Sequence, residues 1–134
     1  MRILNRVSFA FVLGAVLLVA CSDAEAPGAE GVVVTFRVAG SEEYRIRLTD
    51  PSDIEIARQL LAGEEAPGIP NGVVVRGEAD VNEGYSWHID PDSVEFVDFT
   101  VEVCDGLPSY VEEEIITSDR YCPWSAEVIA IDDA

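Results

Sequence analysis

Few side chains in this chain could do chemistry: three cysteines (Cys21, Cys104, Cys122), one histidine (His88) and a large excess of carboxylates. An imidazole beside a carboxylate can move protons, and His88 with Asp98 and Glu102 forms the one candidate polar site. No serine or cysteine stands in a motif that would place a nucleophile on an elbow or at a helix start. Asp90-Pro91-Asp92 and Asp80-Val81-Asn82 space oxygen ligands as the opening of a calcium loop does, but Glu95 and Tyr85 occupy the positions where such a loop needs glycine. Turn chemistry accounts for both stretches. The expectation is a non-catalytic protein with no catalytic residue, metal or cofactor.

What must position these groups begins after residue 20. Arg2 and Arg6 form a basic front, and Val7 to Ala20 an apolar run too short to span a membrane as a mature helix, which is the pattern of an export signal. It ends in Leu18-Val19-Ala20-Cys21, which resembles the lipobox of bacterial lipoproteins. That resemblance implies cleavage before Cys21, acylation of its thiol and a membrane-anchored protein facing the periplasm or the cell exterior. Residues 1–20 are then a lipoprotein signal peptide, 21–31 a flexible acidic tether (SDAEAPGAEG after the cysteine) and 32–134 a single globular domain. With Cys21 taken by lipid, Cys104 and Cys122 remain as a pair in an oxidising setting and are expected to form a disulfide. Free thiols and half of a metal site are the competing readings, and neither has a CxxC partner or a histidine cluster behind it.

Charge narrows the partners. All 26 acidic residues follow Ala20, and of the eight arginines only six do, which gives the mature part a formal charge of −20; the chain has no lysine. A nucleic-acid backbone or an anionic lipid surface would be repelled, so the membrane is reached through the N-terminal lipid only. The ligand or protein partner is not named by the sequence, and a monomer is expected.

Period-two alternation supplies the sheet. Val32, Val34, Phe36 and Val38 alternate, as do Tyr44, Ile46 and Leu48, with Ala39 to Glu42 as the turn between them. Asp50-Pro51-Ser52-Asp53 opens a helix in which Asp50 caps, Pro51 takes the first position, and Ile54, Ala57, Leu60 and Leu61 form the apolar stripe; Gly63 stops it. Glu64 to Asn71 reads as a surface loop, Gly72 to Ala79 as a strand with a bulge at Gly77, and Leu107 to Ile116 as a short helix burying Tyr110, Val111 and Ile115. Ala126 to Ile131 is the last strand.

The stretch Gly84 to Gly106 reads as a central hairpin. Val97, Phe99, Val101 and Val103 form its apolar face, opposite Asp98, Thr100, Glu102 and Cys104. A five-residue loop, Asp90 to Val94, would pair Trp87 with Val97 and Tyr85 with Phe99, leaving His88 diagonal to Asp98 on the polar face. The fold class is α+β: one compact domain of about six mostly antiparallel strands, one or two short helices and one disulfide.

Five blocks, LTDP at Leu48 to Pro51, WHIDPDSVEF at Trp87 to Phe96, EVCDG at Glu102 to Gly106, PSYVE at Pro108 to Glu112 and CPW at Cys122 to Trp124, together resemble the BP-seventy-four N-terminal-domain family of small exported domains. The resemblance implies one compact domain with paired cysteines and brings no catalytic residues. Some members are labelled calmodulin-binding, but the one clear helix here is acidic, unlike the basic amphipathic targets of that protein. A thinner similarity is to chagasin-type cysteine-protease inhibitors, which Asn82-Glu83-Gly84-Tyr85-Ser86-Trp87 and Cys122-Pro123-Trp124 echo in order, with shorter spacing and without the glycine-rich middle loop. The expected function is therefore a lipid-anchored binding or scaffold domain. A cysteine-protease inhibitor is the alternative and a small envelope hydrolase the second alternative.

Overall fold

A computed structural model describes residues 31–134. Two antiparallel sheets and two helices enclose one core. The first sheet has the order β2-β1-β7, built from β1 (Val32–Val38), β2 (Glu42–Leu48) and β7 (Ala126–Asp133). Val32, Val34, Phe36 and Val38 of β1 all point inward, and opposite them on β2 stand Leu48, Ile46 and Tyr44, so the two alternating runs form one buried face. Ala39 and Gly40 turn the hairpin with φ of 51° and 67°.

Helix α1 (Pro51–Leu61) starts where the turn chemistry places it: the Asp50 carboxylate accepts from the Ser52 amide at 2.8 Å, and Pro51 stands at the first position. Gly63, at φ 76°, ends it. Ala57 is fully buried, and Ile54, Ile56 and Leu60 pack against the core; Leu61 is left 45% exposed, so the stripe lies one position round from the expected one.

The second sheet is organised by β3 (Ile69–Arg76), which pairs with β4 (Trp87–Ile89), β5 (Glu95–Val97) and β6 (Arg120–Tyr121). The expected central hairpin does not form. β4 and β5 do not pair with each other: β4 runs antiparallel to Val74, Val75 and Arg76, and β5 to Ile69, Pro70 and Asn71. Between them a 3-10 turn, Pro91–Ser93, is capped by the Asp90 carboxylate, which accepts from the Asp92 amide. The turn also serves β3 at the gap: the Val73 amide donates to Ser93 Oγ at 2.8 Å and its carbonyl accepts from the Asp90 amide at 2.9 Å. Gly72 is required here, since a Cβ would lie 2.3 Å from Ile89 Cγ2. The surface loop is shorter than expected because β3 takes up Pro70, at a position β6 does not reach, where a missing N–H is tolerated. Gly77, at φ 91°, ends the strand rather than bulging it.

Beyond Val97 the expected strand ends for a simple reason: its partner runs out, because Val97 pairs with Ile69, the first residue of β3. Glu102–Cys104 forms a 3-10 turn instead. Helix α2 (Pro108–Glu112) follows, held at its start by the Glu42 carboxylate, which accepts from the Ser109 amide and hydroxyl at 2.9 Å. Arg76 donates to the Val111 and Ile116 carbonyls at its end. Val111 is buried as expected, whereas Tyr110 and Ile115 are exposed; Glu114 at φ 57° turns the chain so that Ile116 faces in.

The sheets meet through aromatic rings. Tyr44 lies 5.4 Å from Phe36, 6.0 Å from Trp87 and 5.2 Å from Tyr121 between ring centroids, and Trp87 is 5.6 Å from Tyr121. Cys104 and Cys122 are bonded, with Cα atoms 5.1 Å apart, closing a loop of sequence separation 18. Replacing both, Cys104→Ala with Cys122→Ala, should lower the free energy of unfolding by about 3 kcal/mol. Urea denaturation measures this, and an unchanged midpoint would show that the bridge contributes nothing beyond the ladder around it.

Candidate functional site

The features most in need of explanation are apolar side chains in water. Phe99 is 86% exposed, Val103 70%, Val101 64% and Trp124 43%. Phe99, Val101 and Val103 are three members of the expected buried face, and they are turned outward. The cause is the disulfide. Cys104 must face inward to reach the buried Cys122, and the 3-10 turn Glu102–Cys104 that carries it there leaves Val101, Glu102 and Val103 all in solvent.

The loop that carries them is laced to its neighbour. The Cys122 amide donates to the Cys104 carbonyl at 2.8 Å, and the Trp124 amide donates to the Asp105 carboxylate at 2.8 Å. The Tyr121 hydroxyl donates to the Gly106 carbonyl at 2.8 Å, joining the loop to the aromatic core. Gly106 is fixed by crowding as well as by its φ of 144°, because a Cβ would meet Ile116 Cδ1 at 2.9 Å. Ile69, Asp98, Phe99, Thr100 and Trp124 enclose a cleft of about 160 Å³ at the edge of this surface. Small-molecule pockets run to about 300 Å³ or more, so the cleft is the size of a side chain.

Two larger hollows are carboxylate-lined grooves. One of about 310 Å³ lies along Asp50, Asp53 and Asp92. Burial, then the charges of Asp50 and Glu95, push the Asp53 carboxyl above its usual range. The other, about 400 Å³, runs past Arg45, Asp80, Glu83, Asp132 and Asp133. Its charges are engaged in part: Arg47 donates to Asp80 through two bonds of 3.2 Å, and Arg45 lies 3.6 Å from Glu83.

His88, Asp98 and Glu102 are not brought together. His88 is opposite Val75, and its Nδ1 lies 2.7 Å from the Glu78 carbonyl, to which it donates. Asp98 follows Val97 at the other end of β3, a separation of roughly 20 Å along the strand. Glu102 opens the 3-10 turn in solvent. The pairing fails because it rested on the hairpin register, and β3 stands in place of that hairpin. Asp80 and Asn82, read as turn residues, are occupied: Asp80 by Arg47, and Asn82, fully buried, by the Arg45 amide and the Trp87 carbonyl. Among the described residues no group of three or more His, Cys, Asp or Glu is arranged to hold a metal ion. Cys21 lies outside the described residues, as do the expected leader and nearly all of the expected tether.

Fold and site define a small disulfide-stapled α+β domain that presents an apolar edge. The chain belongs to the BP-seventy-four N-terminal domain family, which it matches over residues 30–134. No curated protein and no solved structure matches it.

Surface and core aromatics should respond differently to truncation. Phe99→Ser and Trp124→Ser should each leave stability within about 0.5 kcal/mol, whereas Trp87→Ala should cost about 3 to 5 kcal/mol. Chemical denaturation of the three variants separates the classes, and a large loss at Phe99 would place it in the core.

The Arg47 guanidinium holds the Asp80 carboxyl below its ordinary range, mainly through their hydrogen bonds. A carboxyl lowered on folding stabilises the protein above its unfolded pKa, about 3.9, and that contribution disappears as pH falls through the folded value. Asp80→Asn should therefore flatten the acid limb of stability below about pH 4. Thermal unfolding scanned against pH would show it, and parallel curves for the two proteins would argue against the pairing.

Proposed function

We propose that this protein is an exported, lipid-anchored, non-catalytic binding domain that engages a protein partner through Phe99, Val101, Val103 and Trp124. One observation carries the reading: these apolar side chains are held in solvent by a disulfide-laced pair of loops. Large exposed apolar groups clustered on one surface of a soluble domain mark interaction sites, and aromatic anchors contribute most to binding when a partner buries them. The Leu18-Val19-Ala20-Cys21 motif supports the anchor, and the disulfide accords with an oxidising compartment.

The inhibitor reading gains little by comparison. Trp87 is fully buried and the half-buried Tyr85 lies tilted against it with ring centroids 5.4 Å apart, so of the three aromatics in the two matching loops Trp124 is the most exposed to a protease.

A photo-crosslinking residue at position 101 of the full chain, expressed in its own envelope, tests the proposal. The product should begin at an acylated Cys21 by intact mass and should give a discrete crosslinked species that Phe99→Ser abolishes. Crosslinking no stronger than from Glu55, exposed on α1, would remove the binding surface. An unacylated chain cut elsewhere would remove the anchor.

A further inference from the structure

The cleft beside Phe99 adds chemistry to the apolar surface. It combines two aromatic side chains, Phe99 and Trp124, with the aliphatic Ile69, the Thr100 hydroxyl and one carboxylate, Asp98. Among the described residues the ion pairs join Arg37 to Glu43, Arg45 to Glu83, Arg47 to Asp80 and Arg120 to Glu95, and none includes Asp98. Glu102 is likewise exposed within the same loop, which contains no cation between Asp98 and Asp105. Aromatic faces attract cations through their quadrupoles, and a carboxylate at the rim supplies the opposite charge.

Resting on the proposed binding role of this surface, we infer that the cleft receives an arginine side chain of a cationic polypeptide whose apolar residues cover Val101 and Val103. Arginine suits it because the planar guanidinium stacks on rings, bonds a carboxylate and is weakly hydrated. Charge selects the occupant. A mature charge of −20 attracts a basic partner over distance, whereas a second copy carries the same charge, and an anionic bilayer is repelled by the carboxylates around the loop.

The test uses the full chain isolated in detergent and two synthetic peptides, acetyl-Leu-Arg-Leu-Arg-Leu-amide and its twin with neutral citrulline at both arginine positions. Trp124 fluorescence and the ring resonances of Phe99 report binding. The arginine peptide should bind, more weakly at high salt, and the citrulline twin should bind roughly tenfold more weakly. Asp98→Asn should weaken the arginine peptide by roughly the same factor and leave the twin unchanged, and Phe99→Ser should abolish both while leaving the circular dichroism and unfolding midpoint intact.

Equal affinity for the two peptides would overturn the arginine inference and leave the docking surface standing. Binding that survives both Phe99→Ser and Asp98→Asn, or no binding by either peptide, would overturn it also. If neither peptide binds and the chain instead self-associates through Phe99, or partitions through Phe99 onto neutral phosphatidylcholine vesicles, the occupant is a second copy or a bilayer. Both the inference and the protein-binding role then fail.

Discussion

Tyr44 joins two sheets that share no hydrogen-bonded ladder. It brings its ring from β2 against Trp87 of β4 and Tyr121 of β6, and Phe36 of β1 meets Phe96 of β5 at 6.3 Å. Aromatic pairs at such distances add about 0.5 to 1.5 kcal/mol each beyond the area they bury, so these contacts set how one sheet sits on the other. The arrangement has a polar cost. Tyr44 Oη and Trp87 Nε1 are buried with no hydrogen-bond partner among the described residues, and burial raises the Tyr44 pKa well above its ordinary value. Tyr121 escapes that cost by donating to the Gly106 carbonyl, and in doing so it holds the apolar loop at a fixed height above the core.

The loop runs against the usual direction of folding energy. Fully burying a valine or phenylalanine side chain is worth about 1.5 to 3 kcal/mol, yet Phe99, Val101 and Val103 forgo most of it. The disulfide, the Asp105 to Trp124 bond and the Cys122 to Cys104 backbone bond hold in place a surface that hydrophobic collapse would otherwise draw inward. Such a surface is preorganised, so a partner would meet less of the ordering cost that association normally incurs.

Local signals in the sequence were sufficient wherever neighbours in the chain are neighbours in space. The β1 to β2 hairpin and the Asp50 and Pro51 start of α1 have this character; the final strand is legible from its apolar run although its partner β1 lies at the other end of the domain's sequence, and the bonded cysteines follow from their small number. The central stretch failed because alternation reports that one face is apolar and says nothing about which strand pairs with it. Trp87 and Phe96 are core residues on two short strands against β3, whose own Ile-Pro-Asn opening reads as a loop. Past Val97 the alternation corresponds to no strand, since Asp98 and Glu102 are exposed along with Phe99, Val101 and Val103, and it is the bonded Cys104 that turns in, from a 3-10 turn. The His88 site was lost with the register. Phe99 reads as an interior residue because hydrophobicity alone cannot distinguish a core residue from one left in solvent.

Asn82 has a consequence of another kind. Its buried amide accepts from the Arg45 backbone N–H and donates to the Trp87 carbonyl, and so occupies main-chain groups of two different strands. Among the described residues β2 forms one margin of its sheet, with β1 as its strand partner, and a margin of this sort is a template on which another chain can add itself. The side chain takes up one of the exposed amides midway along β2, while Asp132 and Asp133 place like charges at the end of β7 on the opposite margin. The domain therefore carries its own protection against polymerising strand to strand, which matters most where copies lie close together.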